Sequence, residues 1–191
     1  MNEHSNEFYH ASNIGGLKEL HPLSKMHGGT ETVCYFTPNK SYSLFYLRDM
    51  EINHVTCGID ESGIVVYHEQ FPNQLAKIYN MRSGYIYSCS DNGMIKQGHT
   101  GGVWIATEPV SVEGFDFVDN VYNEILKVEQ EGKVRVMRYG ELMDKKRAEI
   151  VEMMKRLILK NNFLHINTTK SRFFEENFPA SWHAAKREGN K

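Results

Sequence analysis

One histidine and two tyrosines have the types and spacing to do chemistry. His10 stands near the end of the short apolar run Phe8-Tyr9-His10-Ala11-Ser12, followed by a small residue and a hydroxyl. Tyr35 and Tyr46 lie eleven positions apart in Tyr35-Phe36-Thr37-Pro38-Asn39-Lys40-Ser41-Tyr42-Ser43-Leu44-Phe45-Tyr46. Residues 33–37 are β-branched and aromatic types suited to a strand. Pro38 and Asn39 break the extended run, and 41–47 continue at helical spacing. Tyr42 and Tyr46, four apart, share one helix face, with Leu44 and Phe45 directed inward. A strand that ends in Tyr35 and returns as a helix carrying Tyr46 offers two walls of a slot. A flat cationic ring suits such a slot through stacking and cation–π attraction. The same periodicity also reads as two ordinary half-buried core aromatics.

The ordered set His10, Tyr35, Tyr46 resembles the ADP-ribosyltransferase fold, in its diphtheria-toxin and poly-ADP-ribose polymerase branch. There a strand ending Tyr-His-Gly-(Ser/Thr) is followed by Tyr-Phe-(Ser/Ala/Thr) and then by a helix bearing a second tyrosine, spaced from the first as Tyr46 is from Tyr35. The resemblance is close over residues 8–47 and extends to about Tyr139 in general layout. It implies NAD as cofactor and cleavage of its nicotinamide–ribose bond. His10 would bond a ribose hydroxyl, Tyr35 and Tyr46 would sandwich the nicotinamide, and Ala11 and Ser12 would line the cofactor site. Ala11 stands where the family has glycine, whose backbone grips the nicotinamide amide; alanine keeps the N–H and C=O unless the position needs positive φ. The stretch 13–32, without periodicity and punctuated by Gly15, Gly16, Pro22, Gly28 and Gly29, borders the cofactor cleft in the resembled fold. Within it, His27 in Lys25-Met26-His27-Gly28-Gly29 is the candidate to approach a phosphate or an adenosine; a solvated loop is the plainer reading of it and of His21.

The third position of the pattern departs from the family. Its active branch opens a later strand with an acidic residue that orients the ribose and stabilises the positive charge developing as nicotinamide leaves. Here that strand is Val103-Trp104-Ile105-Ala106-Thr107, and Val103 occupies the position. The nearest carboxylate is Glu108, five residues on. That odd spacing puts it on the opposite face of a regular strand unless a bulge intervenes. Val103 is therefore the expected cofactor contact, and Glu108 the candidate catalytic acid. NAD-consuming RNA phosphotransferases of the superfamily also carry an apolar residue there, but the second catalytic histidine of their helix has no counterpart in this chain. Gly98-His99-Thr100-Gly101-Gly102 has no following helix and no Lys-Ser or Lys-Thr pair, so it reads as a hinge or surface loop rather than a P-loop, with His99 solvated. Glu69, at a strand end, reads as an exposed, solvated carboxylate.

The elements that must position these residues are those of one α+β domain. A chain of 191 residues, 40% hydrophobic and 12% aromatic, can build a real core. A formal charge of −2 gives no global attraction to nucleic acid or to an anionic membrane. The polar start and the lack of any run of roughly eighteen apolar residues lead to the expectation of a cytoplasmic protein without a membrane span. Three widely spaced cysteines, Cys34, Cys57 and Cys89, suggest neither a disulfide framework nor a zinc site. Hairpin strands are expected over 52–59 and 63–69, a helix over 71–79 opened by Pro72, a strand over 84–89, one strand over 110–117, a helix from Val121 capped by Asp119-Asn120, and a last strand over 134–137. Residues 1–139 thus form the ADP-ribosyltransferase-like domain with a split, mostly antiparallel sheet. Residues 140–191 form a helical extension packed on it. The helix over 141–164 interleaves basic and acidic residues as a solvated face does. Phe173, Phe174, Phe178 and Trp182 follow at helical spacing interrupted by Pro179, a set that packs on the domain or meets a protein partner. The tail 184–191 reads as frayed. Three functions fit, in this order: an NAD-cleaving enzyme with an acceptor the sequence does not name, a regulatory module that binds NAD or ADP-ribose without chemistry, and a structural or partner-binding domain.

Overall fold

The computed structural model describes residues 7–26, 29–48, 55–91, 93–98 and 101–189. His27, His99 and residues 52–54 of the expected first hairpin strand lie outside them. The chain begins with β1 (Glu7–Ser12) and the two-residue strands β2 (Glu19–Leu20) and β3 (Ser24–Lys25), which lie where the sequence has no periodicity. Strand β4 (Thr32–Phe36) leads into helix α1 (Lys40–Ser43) and a 3-10 turn, Leu44–Tyr46. Asn39 starts α1, its side-chain oxygen accepting the Tyr42 amide at 3.2 Å. The helical spacing over 41–47 is therefore realised as a single α turn that tightens into 3-10.

Strands β5 (Thr56–Ile59) and β6 (Val65–His68) form the expected hairpin. Asp60 closes its turn by accepting the Ser62 and Ile64 amides, both at 3.0 Å. Then come α2 (Gln74–Tyr79), β7 (Gly84–Ser90), β8 (Lys96–Gln97), β9 (Trp104–Ala106), β10 (Val110–Ser111), β11 (Gly114–Val118), α3 (Val121–Gln130) and β12 (Val134–Met137). Helices α4 (Asp144–Lys160), α5 (Thr169–Asn177) and α6 (Pro179–Gly189) follow. The fold is α+β.

Strand β7 is the spine of one antiparallel sheet, ordered β1-β7-β11, in which His10 lies opposite Tyr87. A second antiparallel sheet is ordered β3-β4-β9-β8. The two meet where Tyr9 and Thr37 exchange backbone hydrogen bonds of 2.8 and 3.0 Å, which fixes β1 beside the end of β4. A third sheet, β12-β6-β5, contains one parallel pair, β12 with β6, among otherwise antiparallel neighbours. The single strand expected over 110–117 is two strands. Val112 donates its amide to Lys18 while Glu113 donates to Ser88, so the chain changes sheets between adjacent residues: β10 pairs with β2 and β11 with β7.

These pairings leave β1 and β7 covered on both faces. Ile86 packs with Val118, Val121, Ile125, Val65 and Tyr67 in one cluster. Phe8, Cys34, Phe36, Tyr87, Cys89 and Ala106 form another on the opposite face. All three cysteines are thiols. The C-terminal helices carry their own cluster, in which Ile150, Met154 and Ile158 of α4 meet Phe174, Phe178 and Trp182, with Phe71 joining it from the loop before α2. Burying each of these aromatics contributes roughly 2–3 kcal/mol, and of the two expectations for this set, packing within the chain is the one seen. Pro179 interrupts the helical spacing as expected, since α5 ends at Asn177. It occupies the first position of α6, where a missing N–H costs nothing. Residues 184–189 are helical rather than frayed, with Ala185 fully buried. Among the described residues no helix is long and apolar enough to cross a membrane.

Glu69 corrects another expectation. It is 7% exposed, not solvated, and its carboxylate accepts the Leu75 amide at 2.9 Å and the Tyr139 amide at 3.1 Å. It thereby joins the start of α2 to the chain just after β12. Replacing it leaves both donors without an acceptor, and each such orphan costs about 1–3 kcal/mol. Chemical denaturation of Glu69→Ala is expected to show a loss of about 2–6 kcal/mol, with Glu69→Gln, which keeps one acceptor oxygen, losing clearly less. Equal stability of Glu69→Ala and wild type would contradict this role.

Candidate functional site

His10 is held by β4. Its Nδ1 lies 2.9 Å from the Tyr35 carbonyl oxygen. A carbonyl only accepts, so Nδ1 carries the hydrogen and donates, and in the neutral ring Nε2 is left as an acceptor. The Cys34 sulfur sits 3.6 Å from the same Nδ1, and the Phe36 ring centroid lies 5.9 Å from that of the imidazole. Burial lowers the His10 pKa, opposed in part by the bond to Tyr35. Burial also pushes the Cys34 thiol up to about 12, so the pair is a neutral imidazole beside a neutral thiol and not a thiolate–imidazolium couple.

A cleft of about 610 Å³ opens beside this histidine, lined among others by His10, Ala11, Ser12, Asn13 and Tyr46. Ala11 extends the strand opposite Ile86 and is not one of the described residues with positive φ. Alanine therefore fits without strain where the resembled pattern has glycine. The Ser12 hydroxyl oxygen accepts the Ile14 amide at 3.1 Å, turning the chain out of β1. Gly84 lets β7 approach closely here, since a Cβ would meet the Leu47 side chain at 2.6 Å and the Ser12 carbonyl at 3.0 Å.

Tyr46 forms part of the wall. Its ring is edge-on to Tyr42 at 5.7 Å and to Phe45 at 5.2 Å, and its hydroxyl donates to that of Tyr42. Burial raises the pKa of both phenols, so both are neutral. Tyr35 is placed differently from the expected second wall. Its backbone carbonyl orients His10, while its hydroxyl lies 3.4 Å from the Lys25 carbonyl, and Val33 and Cys34 rather than Tyr35 line the cleft from β4.

The remaining expected residues lie elsewhere. Val103 packs against the cluster containing Tyr42 and Phe45, and its carbonyl accepts the Gly98 amide at 2.9 Å. Gly102, at φ +77°, makes that packing feasible because a Cβ there would meet Ile59 at 2.7 Å. Glu108 is exposed between β9 and β10 and does not line the cleft. The strand before it ends regularly at Ala106, so nothing brings the carboxylate round.

Sequence reasoning missed two cations that line this cleft, Arg48 and Arg82. The Arg48 guanidinium carbon lies 3.4 Å from the Phe45 ring centroid, and the side chain donates to the Tyr79 hydroxyl, which in turn donates to the Phe45 carbonyl at 3.0 Å. The signal was the position of Arg48 two residues after Tyr46, on a turn whose other residues are apolar or aromatic. Glu19 also lines the cleft and pairs with His21 at 3.1 Å. A larger groove of about 1010 Å³ runs between α1 and α3. Its Lys40, Lys127 and Lys133 each pair with a carboxylate, at 2.6, 3.2 and 2.7 Å, and the His10 side of β1 does not face it.

The depressed pKa of His10 has a pH consequence. The unfolded chain takes up the proton first as pH falls, so stability is lost below the unfolded value of about 6.5, by at most about 1.4 kcal/mol per pH unit. His68 is depressed as well, through burial and the nearby Lys146 and Arg135. Thermal or urea unfolding between pH 7 and 5 is therefore expected to fall more steeply for wild type than for His10→Asn. Parallel profiles would contradict a buried, neutral His10.

No protein-family model, curated protein or solved structure matches this chain.

Proposed function

We propose that this cleft binds NAD and that the protein is an ADP-ribosyltransferase-like enzyme cleaving the nicotinamide–ribose bond. The observation that carries the reading is the fixed tautomer of His10, whose Nδ1 is committed to the Tyr35 carbonyl in a cleft shared with Ser12 and Tyr46. A neutral imidazole with an acceptor nitrogen suits a ribose hydroxyl, and Tyr46 offers a ring face or edge for the nicotinamide. In the reaction the C1′–N bond breaks and its electron pair leaves with nicotinamide. The ribose passes through an oxocarbenium-like state, which water or an acceptor nucleophile then attacks. Protein groups contribute position and charge stabilisation. The split-sheet kinship to ADP-ribosyltransferases belongs to the same proposal, supported by the spacing of His10, Tyr35 and Tyr46 and by the α+β architecture.

A second reading, a nucleotide-binding module without chemistry, is favoured by one observation. Val103 offers no carboxylate to the developing cation, and Glu108 stands exposed outside the cleft.

Calorimetry with NAD and an assay of released nicotinamide separate the readings. His10→Ala and Tyr46→Ala are each expected to weaken NAD binding roughly ten- to a hundred-fold while remaining folded. Tyr35→Phe, which keeps the backbone carbonyl, is expected to bind as wild type does. Unchanged affinity in both His10→Ala and Tyr46→Ala would remove the site.

Glu108→Gln tests the chemistry. Val103 packs away from the cleft lining and Glu108 is exposed outside it, so Glu108→Gln is expected to release nicotinamide as wild type does. Loss of all release in Glu108→Gln would instead make Glu108 the acid. Wild type that binds NAD without releasing nicotinamide would leave the binding module as the function.

A further inference from the structure

Arg48 is a cation in a box of neutral groups. Its guanidinium stacks on Phe45, bonds Tyr79, and has no carboxylate partner among the described residues. Burial keeps Tyr42, Tyr46, Tyr67 and Tyr79 protonated and pushes the Cys57 thiol up to about 12. No neighbouring phenol or thiol therefore supplies a counter-charge. Nε and Nη1 are buried without a hydrogen-bond partner.

Such an arrangement is unfavourable for folding. Desolvating a charge is costly unless paired, and replacing a buried charge by an apolar side chain of similar volume is often neutral or stabilising. The stacked ring offsets only part of that cost. Arg48 also lines the cleft, together with His10, Ser12 and Tyr46. The Glu19 carboxylate on the same lining is held by His21. The cleft at Arg48 thus carries a positive charge with donor nitrogens that have no partner. Guanidinium is the side chain whose planar fork fits a carboxylate or phosphate in bidentate fashion.

We infer that Arg48 is an oxyanion subsite of the cleft, holding the phosphate or pyrophosphate group of the bound ligand. The inference rests on the nucleotide reading for the identity of the ligand, but its chemistry requires only an oxyanion. Phe45 and Tyr79 hold the guanidinium in place before ligand arrives, so little side-chain entropy remains to be lost on binding. His10 and Tyr46 then take the sugar and the flat ring.

Three probes test it on the full chain by calorimetry: inorganic pyrophosphate, ADP-ribose and nicotinamide. Arg48→Met keeps the stem and removes the charge, and Arg48→Lys restores a charge without the fork. In Arg48→Met, pyrophosphate and ADP-ribose are expected to bind about ten- to a hundred-fold more weakly, with nicotinamide unchanged and the melting temperature no lower. Arg48→Lys is expected to recover part of the loss. Wild-type affinity for pyrophosphate and ADP-ribose in Arg48→Met would overturn the inference. So would failure of pyrophosphate to bind wild type at all, or a lowered melting temperature with all three probes weakened together, which marks a structural role. Arg48-dependent binding of pyrophosphate that NAD and nicotinamide do not displace would support the oxyanion subsite while removing the NAD reading.

Discussion

The site depends on one hydrogen bond, from His10 Nδ1 to the Tyr35 carbonyl. It crosses from the β1-β7-β11 sheet to the β3-β4-β9-β8 sheet, just where Tyr9 and Thr37 exchange backbone bonds. Two separate sheets are thereby held at a fixed offset, and the imidazole between them is fixed in tautomer as well as in place. Everything the cleft can do with His10 follows from that commitment. The ring is neutral because burial disfavours its charge, and its remaining nitrogen accepts rather than donates. Phe8, Cys34, Phe36 and Tyr87 pack the space between the sheets, so the bond lies in apolar surroundings where a hydrogen bond is electrostatically stronger than in water.

Tyr46 reaches the same cleft by a different route. Asn39 starts a helix of one turn, the chain tightens into 3-10, and Tyr42 accepts the Tyr46 hydroxyl. The turn carries Arg48 immediately beyond. Its charge is set among groups that burial keeps neutral, on the same lining as His10 and Tyr46.

Much of this was legible in the sequence because it was local. The strand through His10, the break at Pro38 and Asn39, the hairpin closed by Asp60, the cap at Asn120 and the strand over 84–89 each follow from residue types within a few positions. What the sequence concealed was mostly non-local. Glu69 reads as a surface carboxylate until α2 and the chain after β12 bring the Leu75 and Tyr139 amides to it. Residues 110–117 alternate like one strand, yet their hydrogen bonds divide between two sheets. Tyr35 was legible as a site residue but not in its manner of acting, since a backbone carbonyl leaves no trace in side-chain spacing. Arg48 was overlooked because a single arginine after an apolar turn looks like any solvated cation until burial of its nitrogens is known.

The central claim is that His10 is a neutral, Nδ1-protonated imidazole presenting Nε2 as an acceptor to a ligand hydroxyl. Nuclear magnetic resonance of the ¹⁵N-labelled histidine ring at neutral pH reads both nitrogens directly, before and after NAD is added. The expected spectrum shows Nδ1 bearing the hydrogen in the apo protein, with NAD shifting the Nε2 resonance as it gains a donor and leaving the Nδ1 resonance in place. An imidazole protonated at Nε2 or at both nitrogens, or a ring whose Nε2 resonance is untouched by saturating NAD, would contradict it.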